Sequence, residues 1–198
     1  PHHASDFKAD TLSRLRVLAE HKQVVAIGEC GLDFNRNFST PTNQINAFES
    51  QLELAAEVEL PVFLHQRDAH TEFLKIITNR RSELGDLVAH CFTGTAEEVR
   101  DYLELDMYIG VTGWICDQRR GKDLQLAVKE IPLNRILLET DAPYLLPRDL
   151  AKKPVQSRRN EPCYLPHICG AVASYMKVDT DELKVAAAEN AQRFFGIE

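Results

Sequence analysis

Four short apolar runs, each closing on ionisable side chains, constrain this chain more than any other feature. Val24–Asp33 reads Val-Val-Ala-Ile-Gly-Glu-Cys-Gly-Leu-Asp, Pro61–His65 reads Pro-Val-Phe-Leu-His, Leu87–His90 reads Leu-Val-Ala-His, and Arg135–Asp141 reads Arg-Ile-Leu-Leu-Glu-Thr-Asp. Continuous apolar runs of this length, without helical spacing, read as strands buried on both faces. They put Glu29, His65, His90 and Asp141 at strand C-terminal ends, where parallel α/β folds keep their ligands.

The segments between them carry helical signals. Asp6–His21 spaces Phe7, Leu12, Leu15 and Leu18 for an amphipathic helix. Thr40-Pro41 supplies an N-cap and a first-turn proline for a helix with the stripe Ile45, Phe48, Leu52, Ala55 and Ala56, ended by Pro61. Phe73, Leu74, Ile76 and Ile77 mark a helix that stops by Gly85, and Thr95-Ala-Glu-Glu98 is a capping box for the next. A fifth strand is expected at Met107–Thr112 and a shorter helix at Asp123–Glu130. The long loop Ala142–Pro162 follows, then helices at Cys163–Met176 and Asp181–Phe195, the last with a capping box at Asp179–Glu182.

Strand and helix alternate with crossovers long enough for one helix each, the connection that parallel strands require. The expected fold class is therefore α/β: five parallel strands of a TIM-type (β/α)8 barrel that lacks its N-terminal three strands. Residues 1–198 read as one domain. The Pro1-His2-His3-Ala4 opening reads as the exit of a strand, which leads to the expectation of a truncated or processed chain.

A net charge of −7 argues against bulk attraction to nucleic acid, so any such binding needs a local basic patch. The loop Ala142–Pro162 is the basic stretch, with Arg148, Lys152, Lys153, Arg158 and Arg159 against Asp149 and Glu161. Five cysteines without Cys-x-x-Cys spacing suit reduced thiols in a cytoplasmic protein. No apolar stretch approaches a membrane span, and no signal peptide is expected.

Singly, Glu29 and Asp141 read as turn residues and His65 and His90 as hydrogen-bonded rim or core histidines. Jointly, imidazoles and carboxylates from separate strand ends suit Zn²⁺, Mn²⁺ or similar ions, and the carboxylates also take Mg²⁺. A carboxylate such as Glu29 can bridge two cations, and a two-metal site stabilises both oxygens of a phosphoryl displacement.

Five blocks in collinear order, Gly28–Asp33, Pro61–Ala69, His90–Gly94, Glu139–Tyr144 and Arg159–Pro162, resemble the signature blocks of the TatD family of metal-dependent deoxyribonucleases. The resemblance implies a barrel with one or two divalent ions at its C-terminal mouth, Mg²⁺ first and Zn²⁺ or Mn²⁺ as alternatives. It also implies 3′–5′ exonuclease action on DNA, as single strands or 3′ ends, in repair or degradation. On that resemblance Glu29 bridges the metals, His65 and His90 hold one, and Asp141 holds the other and orients or deprotonates the attacking water. Two departures stand out: the chain has no His-x-His pair, and the histidine that the family places before Pro1-His2 is missing. His2 remains as a phosphate contact or a loose terminal residue. Arg67 reads as a phosphate ligand or a salt-bridge partner of Asp33, Tyr144 and Trp114 as stacking platforms or rim packing, and Arg159, Asn160 and Glu161 as the substrate channel, Glu161 otherwise as a helix cap. Cys30 and Cys91, each following a proposed ligand, are expected to point into packing. A monomer without membrane contact is expected. The rival readings are a hydrolase of another ester or amide on the same barrel, and an inactive fragment that needs its missing strands.

Overall fold

Pairing of the first two strands starts immediately past Pro61, because a proline has no N–H to give to a ladder. In a computed structural model that describes residues 1–152 and 158–197, β1 (Ile27–Asp33) meets β2 (Val62–Arg67) with Ile27 opposite Val62. Val24–Ala26 therefore fall outside the ladder, and the first strand lies three residues further on than the apolar run suggests. β2 likewise runs through Arg67 rather than stopping at His65, because β1 continues alongside it to Asp33. Of the residues expected in the basic loop, Lys153 lies outside the described residues.

The chain packs as two compact units. The first comprises Pro1–His90, Leu105–Met107 and Phe194–Glu198. It holds α1 (Thr11–Ala19), β1, α2 (Pro41–Val58), β2, α3 (His70–Arg80) and β3 (Leu87–His90), with all three strands parallel in chain order. The expected cap of α2 is present: Asn43 N–H donates to Thr40 Oγ1 at 3.3 Å. The core is built from Leu32, Phe48, Leu52, Leu54, Leu64, Phe73, Ile77 and Leu87, none more than 1% exposed, and Phe48 stacks on Phe73 at 5.6 Å. Each such side chain contributes about 1.5–3 kcal/mol through burial. The first helix is shorter than expected, no residue in it is buried, and Leu18 is 54% exposed; its apolar stripe is too narrow to hold it in the core.

The second unit, Cys91–Glu104 with Tyr108–Arg193, holds α4 (Ala96–Glu104), β4 (Tyr108–Val111), α5 (Lys122–Ala127), β5 (Ile136–Leu138), α6 (Leu165–Met176) and most of α7 (Thr180–Phe195). The two capping boxes differ in kind. At α4 the exchange is reciprocal: Glu98 N–H donates to Thr95 Oγ1 at 3.3 Å, and Thr95 N–H to Glu98 Oε2 at 2.8 Å. At α7 only Asp179 Oδ1 accepts, from Asp181 and Glu182. β4 and β5 are parallel. β5 stops three residues short of Asp141, because its partner ends at Val111 and the last ladder bond is Glu139 N–H to Val111 O. Among the described residues, no helix is long and apolar enough to cross a membrane.

Candidate active site

Glu29 owes its direction to an irregularity. The β1–β2 register slips between Gly28 and Cys30, so Glu29 is the extra residue of a bulge and leaves the ladder. It is the third residue of β1, not its C-terminal end as the sequence suggested. Gly31, two residues on, has φ +137°, and a Cβ there would lie 2.0 Å from His65 O; only glycine admits this close approach. Beyond the bulge Gly31 pairs with His65 and Asp33 with Arg67. Parallel partners share a face and strands alternate, so Gly31, Asp33, His65 and Arg67 lie on one face. Cys30, opposite Leu64, is turned into the core as expected.

A buried carboxylate anchors this face. Asp33 is fully buried. Its Oδ1 accepts the Asn35 and Arg36 N–H groups at 3.0 and 2.7 Å, and its Oδ2 lies 2.9 Å from His2 Nε2 and 3.3 Å from His65 Nε2. Gln44, also buried, accepts Asp33 N–H and donates to Asp33 O and Ser39 O. Burial raises the Asp33 carboxyl, but the Arg36 amide, His2 and His65 together hold it below the usual range. His2 packs edge-on against the His65 ring and Phe38, so it is held in place rather than loose. The sequence pattern offers Asp33 only as a partner for Arg67 and does not mark Gln44. Alternation from Glu29 through Gly31 marks Asp33 once the strand is known to continue.

His65 Nδ1 lies 2.7 Å from Glu29 Oε1, and His90 is the register partner of His65 on β3. The hydrogen bond from His65, aided by the nearby charges of His65 and His90, outweighs burial and holds the Glu29 carboxyl down at about 2. Glu29 is thus an anion throughout the neutral range, with 43% of its side chain open to solvent. The donor set fits a divalent ion: one carboxylate and imidazole nitrogens, the chemistry of Zn²⁺ or Mn²⁺. His65 Nε2 is buried yet makes no hydrogen bond of good geometry, despite lying 3.3 Å from Asp33. Leaving such an atom unsatisfied costs about 1–3 kcal/mol, which suits a ring built to take a ligand. His2, Asp33 and His65 form a group of three donors that lie close enough together for one ion.

In the second unit Asp141 lies in a turn, with φ +54°, a conformation Asp tolerates better than most residues. Tyr144 N–H donates to Asp141 O at 2.8 Å, and Asn160 braces the turn from both sides. Its Nδ2 donates to Thr140 O at 2.7 Å and its N–H to Pro143 O at 2.9 Å. Asn160 is 1% exposed, so the expected substrate-channel residue supports the Asp141 turn instead; burial could not be read from its polar motif. Glu161, Arg159 and Arg158 are exposed, as is Tyr144 at 70%. Glu139 Oε2 accepts the Cys91 N–H at 3.1 Å. Cys91 is half-buried with its Sγ 3.6 Å from Thr112 Oγ1.

Two aromatic and basic candidates are already engaged. The Arg120 guanidinium lies 4.3 Å from the Trp114 ring, and Arg148 Nε pairs with Asp117 Oδ2 at 3.1 Å. Asp117 also accepts from Arg120 Nε at 2.8 Å and from the Arg119 and Arg120 amides. Burial opposes ionisation here, but these donors win and hold the carboxyl down at about 2. An aspartate lowered on folding stabilises the fold above its unfolded value near 3.9, and that contribution is lost as pH falls through 2. Asp117→Asn should therefore flatten the acid limb of stability between about pH 4 and pH 2, measured by urea unfolding at a series of pH values; an unchanged limb would count against this pairing.

The family described as TatD related DNase matches residues 1–196. A 3′-5′ ssDNA/RNA exonuclease TatD from Citrobacter rodentium is 54% identical over 197 residues, covering 100% of this chain and 74% of that protein. The crystal structure of a TatD homologue from Escherichia coli superposes with a TM-score of 0.86 at 27% identity, covering 98% of this chain and 73% of the other. A TatD family hydrolase from Entamoeba histolytica gives 0.87 at 27% identity, with 98% and 72% covered. The α/β, TIM-type barrel class expected from the strand–helix alternation is thereby established. A match running through both units, with whole-chain likeness in sequence and in fold, leads to one conclusion: the chain belongs to the TatD-related DNase family.

Proposed function

We propose that this chain is a metal-dependent nuclease that hydrolyses phosphodiesters from the 3′ end of single-stranded DNA, and by the same chemistry of RNA. The observation that carries this reading is the 54% identity, over the whole chain, to a relative named as a 3′-5′ ssDNA/RNA exonuclease. The site in the first unit is chemically suited to it, with Glu29 held anionic beside His65. Residues 1–198 act as one hydrolase domain on this reading, and five cysteines without a disulfide framework suit a cytoplasmic location.

Glu29, His65 and His90 would hold one divalent ion, and the family likeness of Glu139–Tyr144 assigns Asp141 to a second. When bound, one or two such ions supply Lewis acidity and charge stabilisation to a phosphoryl displacement. Glu29 contributes a permanent negative charge, and His2, bonded to Asp33 and packed edge-on against His65, helps fix the plane of the His65 ring. Asp141 orients the attacking water and takes its proton. Arg67, on the His65 face of β2, offers a guanidinium to the phosphate, and Tyr144 and Arg159, both exposed, offer a stacking face and a cation to the strand.

The test is a 5′-labelled single-stranded oligonucleotide, run beside a panel of carboxylic esters and amides. A ladder shortening from the 3′ end, abolished by chelation and restored by Mg²⁺, Mn²⁺ or Zn²⁺, is expected. Ester or amide turnover with intact oligonucleotide would transfer the protein to another hydrolytic reaction.

A further inference from the structure

The second unit carries a cluster of metal-type donors outside the residues assigned to nuclease chemistry. Cys116 ends the 3-10 turn Gly113–Cys116 after β4 and is 1% exposed. Asp149 lies in the loop after β5, and His167 in the first turn of α6. One donor atom from each, a sulfur, a carboxylate oxygen and a ring nitrogen, lies within 4.8 Å of the other two. The approach is built in: Asp117, next to Cys116, is clamped to Arg148, next to Asp149, at 3.1 Å. That ion pair holds the turn against the loop and sets sulfur and carboxylate face to face.

We propose that Cys116, Asp149 and His167 bind a zinc-type divalent cation, with water as the fourth ligand. A thiolate in the set selects Zn²⁺ or its substitute Co²⁺ over Mg²⁺ and Ca²⁺, which require oxygen donors. Charge balances at the site, since a thiolate and a carboxylate neutralise one dication and His167 adds a neutral nitrogen. Around a tetrahedral zinc, donors at ordinary bond lengths stand roughly 3.3–3.8 Å apart. The His167 Nε2–Asp149 Oδ1 contact of 2.7 Å therefore has only to open by about 1 Å. Without a cation, burial, the Asp149 charge and a hydrogen bond to Asp149 push the Cys116 thiol up to about 12. Binding therefore releases the Cys116 proton to solvent, and His167 binds through Nε2 with its proton on Nδ1. His167 and Asp149 keep 36% and 38% of their side chains exposed, which gives an ion a way in and leaves room for the water. The bound ion would tie the loop after β5 to the 3-10 turn and to α6.

Titration of the metal-stripped protein with Co²⁺ alone tests this, because a cysteine thiolate on cobalt gives a near-ultraviolet charge-transfer band that oxygen and nitrogen ligands do not. The wild-type protein is expected to show the band with a single saturable class of sites. Cys116→Ser should abolish it, His167→Ala should weaken the affinity by about 10-fold or more, and Glu29→Gln should leave it intact. Absence of the band from wild-type protein, or its survival in Cys116→Ser, overturns the proposal. If Cys116→Ser fails to fold by circular dichroism, the partly exposed His167→Ala decides the matter: unchanged cobalt affinity in that variant also overturns it.

Discussion

Gly31→Ala is expected to be the most destabilising single-methyl change in the first unit. The residue has φ +137°, and the added Cβ would fall 2.0 Å from His65 O and 3.0 Å from His65 N, both backbone atoms of the paired strand. Neither atom belongs to a flexible side chain that could turn away. The strained backbone alone costs about 1–3 kcal/mol, and relieving the clash requires β1 and β2 to part at the residues that hold His65 and Asp33. A total of about 3–5 kcal/mol is a large share of the roughly 5–15 kcal/mol that stabilises an ordinary domain. Urea unfolding measures it, with Gly170→Ala as the comparison. Gly170 lies inside α6 and a Cβ there meets nothing within 4 Å, so that variant should gain about 0.5–1 kcal/mol. Equal midpoints for Gly31→Ala and wild type would show that the close approach of β1 to β2 has been misread.

Glu29→Gln should carry the largest functional effect. The amide keeps the size of the carboxylate and can still hydrogen-bond to His65, but it has no charge to offer a cation. Losing an orienting partner of a metal ligand costs about 10–100-fold in affinity or activity, so losing a charged ligand should cost at least about 100-fold in both. Folding should be little changed at neutral pH, because the side chain is 43% exposed and solvent screens its pairing with His65. Competition against a fluorescent chelator measures the affinity, and oligonucleotide digestion measures the activity. Turnover close to wild type in a folded Glu29→Gln protein would remove Glu29 from the proposed centre.

Much of the chain declares itself locally. Thr40-Pro41 and Thr95–Glu98 start helices where they are read to, because a cap is made by side chains within three residues of the backbone they bond. Leu87–His90 is a strand at the expected limits, since its apolar run and its ladder coincide. Of the residues read as metal ligands, Glu29 and His65 do stand together, and His90 is the register partner of His65.

Tertiary structure decided the rest, because a strand's limits and a side chain's burial depend on what lies opposite. Pro61, more than thirty residues away in sequence, sets where β1 begins, and the bulge at Glu29 exists only relative to the β2 register. The end of β4 at Val111 leaves Asp141 in a turn. Asp33 and Asn160 look like surface polar residues in the sequence, yet both are buried, Asp33 beside His65 and Asn160 bonded into the Asp141 turn. Cys116, Asp149 and His167 are 33 and 18 residues apart along the chain and belong to no common motif. Their grouping appears only when a turn, a loop and a helix start fold together, since local sequence encodes which groups are available and packing encodes which of them meet.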